Sequence, residues 1–144
     1  MLVLEMTALL SCALFAGAAI YINLAEHPAR LACGVELAAT VFGPSYRRAA
    51  AMQASLALIS AITGFAVTID TGSYLWFLGA VLIFSVVPFT FIVIMPTNKR
   101  LLDPEAEQTA DETRRLLQLW GRLHAVRSGL SIVAAILFAY AAMA

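Results

Sequence analysis

Residues 49–98 read AAAMQASLALISAITGFAVTIDTGSYLWFLGAVLIFSVVPFTFIVIMPTN and contain a single charged residue, Asp70. This residue lies in the turn-like run DTGS at 70–73, which divides the stretch into two apolar segments at about 49–69 and 74–95. Because roughly 20 apolar helical residues cross the hydrocarbon core of a bilayer, each segment is long enough to span a membrane. The stretch therefore predicts two transmembrane helices joined by a short turn.

The flanking sequence adds one span on each side. Residues 6–25 carry no charge, and none follows Arg127 before the C-terminus. The fourth span is long enough only if its helix begins before Arg127. We therefore predict an all-α integral membrane protein, one four-transmembrane-helix bundle over 1–144 with short cytoplasmic-side juxtamembrane helices. The approximate spans are 2–25, 49–69, 74–95 and 120–143.

Composition supports this class of protein. The chain is 62% hydrophobic and 12% charged, whereas soluble chains average about 25% charged residues, so a water-soluble globule is disfavoured. The zero formal net charge gives no reason to expect nucleic acid as a partner, and the expected partner is the lipid bilayer. Cys12 and Cys33 lack C-x-x-C spacing, which disfavours a thiol–disulfide enzyme and indicates two small buried thiols. Oligomerisation is left open.

The basic residues predict the orientation in the cell membrane. All nine lie in or beside the first and third connectors: Arg30, Arg47, Arg48, Lys99, Arg100, Arg114, Arg115, Arg122 and Arg127. With four spans these two connectors share one side, which the positive-inside rule makes cytoplasmic. Both termini are then predicted on the non-cytoplasmic side.

The connectors carry helix signals of their own. Pro28 suits a first helical turn, and the segment at 28–42 has helical spacing, so we expect a short helix that GPS at 43–45 ends. Thr109 and Glu112 have capping-box spacing at the start of the last helix. Small residues with spacing that permits close helix approach occur on the second segment: Ala50, Ala54 and Ala57.

Two H-x-x-R pairs hold the only histidines of the chain, His27 with Arg30 and His124 with Arg127. On a continuous last helix one stripe carries Leu116, Trp120, His124, Arg127 and Ser131. At the end of the first span, Asn23, His27 and Arg30 share a face if the helix survives Pro28, with Glu26 and Asn98 at the same membrane edge. We therefore favour one shared site.

Three kinds of chemistry remain open for these residues. His27, His124 and Glu26 are a conceivable transition-metal set, and two imidazoles on different helices are conceivable axial ligands of a haem. Either histidine could instead transfer a proton at neutral pH. The residue pattern alone does not choose among them.

Four motifs resemble the anthrone oxygenase family, a group of small four-span membrane proteins. They are EHPARL at 26–31, SYRRA at 45–49, MPTNKRLLD at 95–103 and WGRLHAVR at 120–127. The resemblance as a whole extends over nearly the entire chain. The most specific parts are PTN at 96–98 and WGRLHAVR. The resemblance carries Asn98, Trp120, His124 and Arg127 into the site, and less specifically His27 and Arg30.

The resemblance implies an oxygenase that converts an anthrone-like phenol to a quinone without an obvious organic cofactor. In that reading His124 or His27 removes an acidic C–H proton, and Arg127 or Arg30 stabilises the oxyanion. Asn98 orients the substrate, and Trp120 supplies a stacking wall. The alternatives are a non-catalytic accessory or ligand-binding membrane protein, and a haem- or metal-binding four-helix protein.

Overall fold

The computed structural model describes residues 1–144 and is built from helices throughout. The α-helices are α1 (Leu2–Tyr21), α2 (His27–Ala32), α3 (Val35–Thr71), α4 (Tyr74–Phe89), α5 (Met95–Leu102) and α6 (Ala110–Met143). Two π-helical segments continue the chain between them, π1 (Ile22–Glu26) and π2 (Thr90–Ile94). There are no strands, which confirms the predicted all-α class.

The elements join into four long rods. They run over Leu2–Ala32, Val35–Thr71, Tyr74–Leu102 and Ala110–Met143, and each is long and apolar enough to cross a membrane. The first rod packs against the second and fourth, and so does the third. The four rods therefore form a closed ring in which each rod packs mainly against two neighbours. This arrangement confirms the predicted four-helix membrane bundle.

The second and third rods meet at the predicted DTGS turn. Thr71 ends α3, and Gly72 follows it in the left-handed conformation with φ of 67°, a conformation that a residue without Cβ adopts at little cost. Ser73 precedes the first residue of α4. Asp70, the single charged residue of 49–98, therefore lies in the last turn of α3, directly before the break between the two rods.

The core forms two separate apolar clusters. The larger occupies the DTGS end and middle of the bundle, where the ring of Phe138 stacks on Trp76 with centroids 4.9 Å apart. The smaller lies at the opposite end around Phe42 and Trp120. Along α6 four buried polar side chains come between them, His124, Arg127, Ser128 and Ser131, so a polar layer separates the clusters.

The end that carries the first and third connectors, called the basic end below, holds nearly all the positive charge. Of the nine basic residues only Arg30 and Arg127 are buried. The rest are exposed, as expected of side chains that meet headgroups and water at a membrane edge. The two buried arginines belong to the two H-x-x-R pairs and need a separate explanation.

Two helical irregularities lie beside the polar layer. Segment π1 carries Asn23 and Glu26 and leads into Pro28 at the start of α2. Segment π2 follows Pro88, which sits inside α4. A π-helical turn holds an extra residue and so changes which side chains face a neighbouring helix. The register of each rod therefore shifts at the level of the polar layer.

Two local expectations were wrong and one is confirmed. GPS at 43–45 does not end a short helix, since α3 runs through Pro44. Pro44 is exposed, and the flanking Phe42 and Tyr46 stack on each other with centroids 5.7 Å apart, so packing overrides the lost backbone hydrogen bond.

Cys33 is exposed rather than buried, because α2 ends there at the bundle surface. The Thr109–Glu112 capping box is formed.

Candidate functional site

The centre of the polar layer is the imidazole of His124, which is 1% exposed. Its Nδ1 lies 2.8 Å from Oδ1 of Asn23. The amide of Asn23 has only one sensible orientation, because its Nδ2 donates to the carbonyl of Gly121 at 2.9 Å. The Oγ of Ser128 donates to the same Oδ1 at 2.7 Å. An oxygen acceptor makes Nδ1 of His124 a donor, so in the neutral ring the lone pair is on Nε2, which makes no hydrogen bond within the chain.

Trp120 links the two histidines. The ring centroids of His124 and His27 lie 4.8 Å and 5.1 Å from that of the indole. Nε2 of His27 donates to the carbonyl of Leu117 at 2.9 Å, which leaves Nδ1 of this ring buried and without a partner. Gly121 permits this approach, since a Cβ there would lie 2.8 Å from both Cδ2 and Nε2 of His27. The two H-x-x-R motifs therefore do converge, through the indole.

Arg127 is a buried cation without a carboxylate partner. Its Nη2 donates to Oε1 of Gln53 at 2.9 Å, and the guanidinium carbon lies 5.4 Å from the ring centre of Phe15. Nε of Arg127 and Nε2 of Gln53 are buried and make no hydrogen bond. A buried guanidinium is costly unless ligands satisfy its donors and charge. The unfilled donors point to an acceptor that this chain does not itself supply.

Arg30 has a different environment. Its guanidinium forms the one ion pair of the structure, with Oε1 of Glu26, and also donates to Oγ of Ser45 at 3.2 Å. The Ser45 hydroxyl in turn donates to the same oxygen of Glu26. Arg30 also lies over the ring of Phe42, 5.8 Å from its centre. Glu26 thus neutralises the charge of Arg30 within a triangle that Ser45 completes at the rim of the polar layer, while Nε of Arg30 is buried without a partner.

Asn98 acts on a neighbouring tyrosine. It is fully buried, and its Nδ2 donates to the hydroxyl oxygen of Tyr46 at 2.8 Å. Because that oxygen accepts from Asn98, the hydroxyl hydrogen of Tyr46 is free to donate elsewhere. The Oδ1 of Asn98 is buried without a partner. Asn98 therefore fixes Tyr46 at the edge of the site.

These side chains surround a narrow cleft, called the polar cleft, with a free interior of about 10 Å³, which admits a water-sized group. Its polar wall consists of Glu26, Arg30, Ser45, Tyr46, Gln53, His124 and Arg127, with Trp120 beside them. A base (His124), a cation (Arg127) and a hydroxyl donor (Tyr46) thus face one space. Such an arrangement can accept a proton on one side of a bound molecule and stabilise negative charge on the other.

The predicted residues separate into two groups. Five of them line the polar cleft: Glu26, Arg30, Trp120, His124 and Arg127. His27 does not; it lies on the far side of Trp120 along a shallow surface groove with Asn23 and Gly121. Asn98 is also outside the cleft and reaches it only through Tyr46. His124 is therefore the histidine that faces the space where a ligand can sit.

The structure does not assemble the conceivable metal set. No group of three His, Cys, Asp or Glu side chains lies close enough to hold a metal ion. The carboxylate of Glu26 accepts from Arg30 and Ser45, and one nitrogen of each imidazole bonds to an oxygen of the chain. The three side chains therefore do not come together at one point.

Two further residues complete the site without having been predicted for it, and a third has a role that the sequence did not reveal. Gln53 is a polar residue within an otherwise apolar span, which is a signal of an inward-facing functional position. Tyr46 stands inside the SYRRA motif. Asn23 shares a face with His27, as predicted, and both contact α6, whereas Arg30 contacts α3.

The fold and site define a small helical membrane protein with a buried histidine–arginine–asparagine centre at one end of the bundle. A family model described as anthrone oxygenase matches residues 39–137, and the chain belongs to this family. The match contains Tyr46, Gln53, Asn98, His124 and Arg127. It leaves out the first rod, and with it Asn23 and His27.

One curated relative is similar to part of the chain. It is the anthrone oxygenase tpcL of Aspergillus fumigatus, 43% identical over 63 residues. The aligned part covers 42% of this chain and 39% of that protein, so the chain matches well under half of its relative's length. No solved structure shows a significant match.

Proposed function

We propose that this protein is a membrane oxygenase that uses dioxygen to oxidise a lipophilic phenolic aromatic or quinol in the polar cleft. The observation that carries the proposal is the pairing of a free imidazole nitrogen with an unpaired guanidinium around one buried space. Nε2 of His124 and the donors of Arg127 come from adjacent turns of α6 and line the same cleft. Membership of the anthrone oxygenase family and the name of the fungal relative support the same chemistry.

The reaction suggested by those names balances without a further reductant. An anthrone and dioxygen give an anthraquinone and water, so a ring methylene becomes a carbonyl. One oxygen atom enters the new carbonyl and the other leaves in water. The methylene carbon loses four electrons, and dioxygen accepts them. The protein has to remove a proton from carbon, stabilise the resulting anion and shield it from competing reactions.

His124 serves as the general base in this scheme. Its Nε2 takes one methylene proton, and the negative charge spreads onto the ring carbonyl oxygen of the substrate. Asn23 holds Nδ1 as the donor, so the nitrogen that faces the cleft keeps its lone pair. The carbanion carbon then bonds to dioxygen, and the returned proton gives a hydroperoxide. Loss of the second methylene proton with cleavage of the O–O bond releases water and forms the carbonyl.

Arg127 stabilises the oxyanion that forms when the proton leaves. It has no carboxylate partner, so its positive charge is available to a ligand. In a water-poor site such a charge acts strongly on developing negative charge. Arg30 is a weaker candidate because Glu26 already neutralises it, and we assign Arg30 and Glu26 to substrate binding at the cleft rim. Asn98 positions Tyr46, and Trp120 supports the imidazole by stacking.

We further propose that the site faces the cytoplasmic edge of the cell membrane. The exposed basic residues gather at the basic end, where His124 also lies. A span of about 20 residues counted back from the end of α6 at Met143 ends near His124. At this level a lipophilic substrate arrives from the hydrocarbon layer, while protons exchange with the aqueous phase.

Oxygen uptake with anthrone as the probe tests the proposal. The purified protein in lipid nanodiscs is expected to consume oxygen and release anthraquinone faster than the uncatalysed reaction. His124→Ala should reduce the catalysed rate on the order of a hundredfold or more, the usual contribution of a general base. His27→Gln is the matched control, since glutamine can still donate to the Leu117 carbonyl and the residue lies outside the cleft. Equal rates for His124→Ala and the unaltered protein would refute the assignment.

A further inference from the structure

A second, wider cleft opens between α3 and α4 and adjoins the polar cleft. It has a free interior of about 110 Å³ and is called the apolar cleft below. The two clefts share four lining residues, Tyr46, Ala50, Gln53 and Arg127. Most of the remaining wall is hydrocarbon: Phe15, Ala54, Val86, Val87, Phe91 and Met95. The polar centre therefore lies beside a larger, mostly apolar cleft.

The sequence explains why the apolar cleft is present at this level. Ala50, Ala54 and Ala57 lie on one face of α3, and their small side chains leave space opposite α4. On the other wall π2 follows Pro88 and changes the direction of the side chains at 90–94. The alanines were expected to permit close helix packing. Ala50 and Ala54 instead face open space, and Phe91 at the mouth is 65% exposed on the lipid-facing surface.

Unpartnered polar groups stand where the two clefts meet. Gln53 and Arg127 are 1% and 7% exposed, and both line the two clefts. The oxygen of Gln53 is occupied by Arg127, while Nε2 of Gln53 and Nε of Arg127 have no partner. Tyr46 accepts from Asn98 and keeps its own hydroxyl hydrogen. Each polar group that lacks a hydrogen-bond partner at this junction is thus a donor.

A set made only of donors selects its ligand by chemistry. Its complement is an acceptor oxygen, either a carbonyl or a phenolate, and not a hydroxyl that needs an acceptor. Buried donors left without a partner are destabilising, and such an oxygen would satisfy them. The long apolar wall selects a flat or chain-like hydrocarbon body attached to that oxygen.

We infer that the apolar cleft binds the hydrocarbon body of a lipophilic molecule whose carbonyl or phenolate oxygen accepts hydrogen bonds from Gln53, Tyr46 and Arg127. The ligand enters sideways from the bilayer between α3 and α4, past Phe91. This inference rests on the proposed function for the identity of the molecule as a substrate. The binding itself requires no turnover, so it is tested separately.

The test measures equilibrium binding of a hydroxyanthraquinone probe to the full chain in nanodiscs, by quenching of tryptophan fluorescence. The probe is already fully oxidised, so no oxygen is consumed. Ala54→Phe places a ring in the apolar cleft from an exposed position of α3 that does not line the polar cleft. We expect the affinity to fall tenfold or more. Ala51→Phe is the matched control, three residues earlier on the same helix and outside both clefts.

Two more variants separate the apolar and polar parts of the site. Ala54→Leu fills less space and should give a smaller loss, while Gln53→Met removes a donor and should also weaken the probe. Anthracene, which has the ring body without the oxygen, should bind weakly and should not respond to Gln53→Met. Equal probe affinity in Ala54→Phe and Ala51→Phe would overturn the inference, as would a lack of probe binding to the unaltered protein. The oxygenase proposal would then still be decided by the His124→Ala oxygen uptake.

Discussion

Asn23 offers the sharpest test of how the bundle prepares His124 for proton removal. Its carboxamide accepts from Nδ1 of His124 and donates to the carbonyl of Gly121. Asn23→Leu keeps a similar side-chain volume but removes both functions. The imidazole can then place its single proton on Nε2, where the cleft offers room, instead of on Nδ1. The nitrogen that faces the cleft would lose the lone pair on which general-base catalysis depends.

The size of the effect follows from the cost of a buried donor without an acceptor. In the variant, a proton on Nδ1 would lack its partner, which costs about 1–3 kcal/mol relative to the other tautomer. The population with a free lone pair on Nε2 then falls by a factor of about 5 to 150. We expect the catalysed oxygen uptake with anthrone to fall by the same factor. The substrate KM should change little, since Asn23 does not line the polar cleft.

Two measurements separate this positioning role from a loss of stability. Nitrogen NMR of histidine-labelled protein reports which ring nitrogen of His124 carries the proton, and the signal should move from Nδ1 to Nε2 in Asn23→Leu. Ser128→Ala is the matched control, because it removes the other hydrogen bond to the same oxygen, of 2.7 Å, and leaves the imidazole contact in place. Asn23→Asp can still accept from Nδ1 and should restore the Nδ1 proton. If Asn23→Leu keeps both the Nδ1 proton and normal turnover, the reasoning is refuted.

Three further predictions concern packing and orientation. Gly121→Ala should destabilise the folded bundle by about 1–3 kcal/mol in denaturant titration, because its Cβ would lie 2.8 Å from the ring of His27; unchanged stability would contradict the close approach. Gly79→Ala should cost a similar amount, since Cε1 of Phe138 lies 2.5 Å from the new Cβ, and Phe138→Leu should relieve that penalty. Cys33 is exposed at the basic end, so a membrane-impermeant maleimide should label it in inverted vesicles and not in intact cells. The reverse pattern would reverse the proposed orientation.

The long-range architecture was predictable because it depends on the distribution of charge. A chain with so few charged residues, gathered at defined breaks, has few ways to bury its apolar segments in a bilayer. The stripe of Trp120, His124 and Arg127 was predictable for a related reason. All three lie on one uninterrupted α-helix, where spacings of three and four residues bring side chains to one face.

The partners of this stripe could not be predicted in the same way. Asn23 reaches His124 from within π1, and nothing in the sequence specifies a π-helical turn there. His27 and Arg30 share the short helix α2 but contact different helices, α6 and α3, because α2 lies between them. Gln53 meets Arg127 through the lateral arrangement of four rods, which a one-dimensional pattern does not contain. The missing information was therefore the register and the neighbours, not the residue types.

The energetics of Arg127 connect the site to the fold. A buried arginine without a carboxylate contributes little to stability, and an apolar side chain of similar volume would often serve the bundle as well or better. Its retention in the polar layer is thus hard to explain by folding alone. Folding alone also does not explain why Nε2 of Gln53 lacks a hydrogen-bond partner, or why the two π-helical segments each hold an extra residue. Each feature departs from the most stable local arrangement. All of these departures occur at one level of the bundle, beside His124, which is the distribution expected when a stable scaffold is locally adapted to bind a ligand.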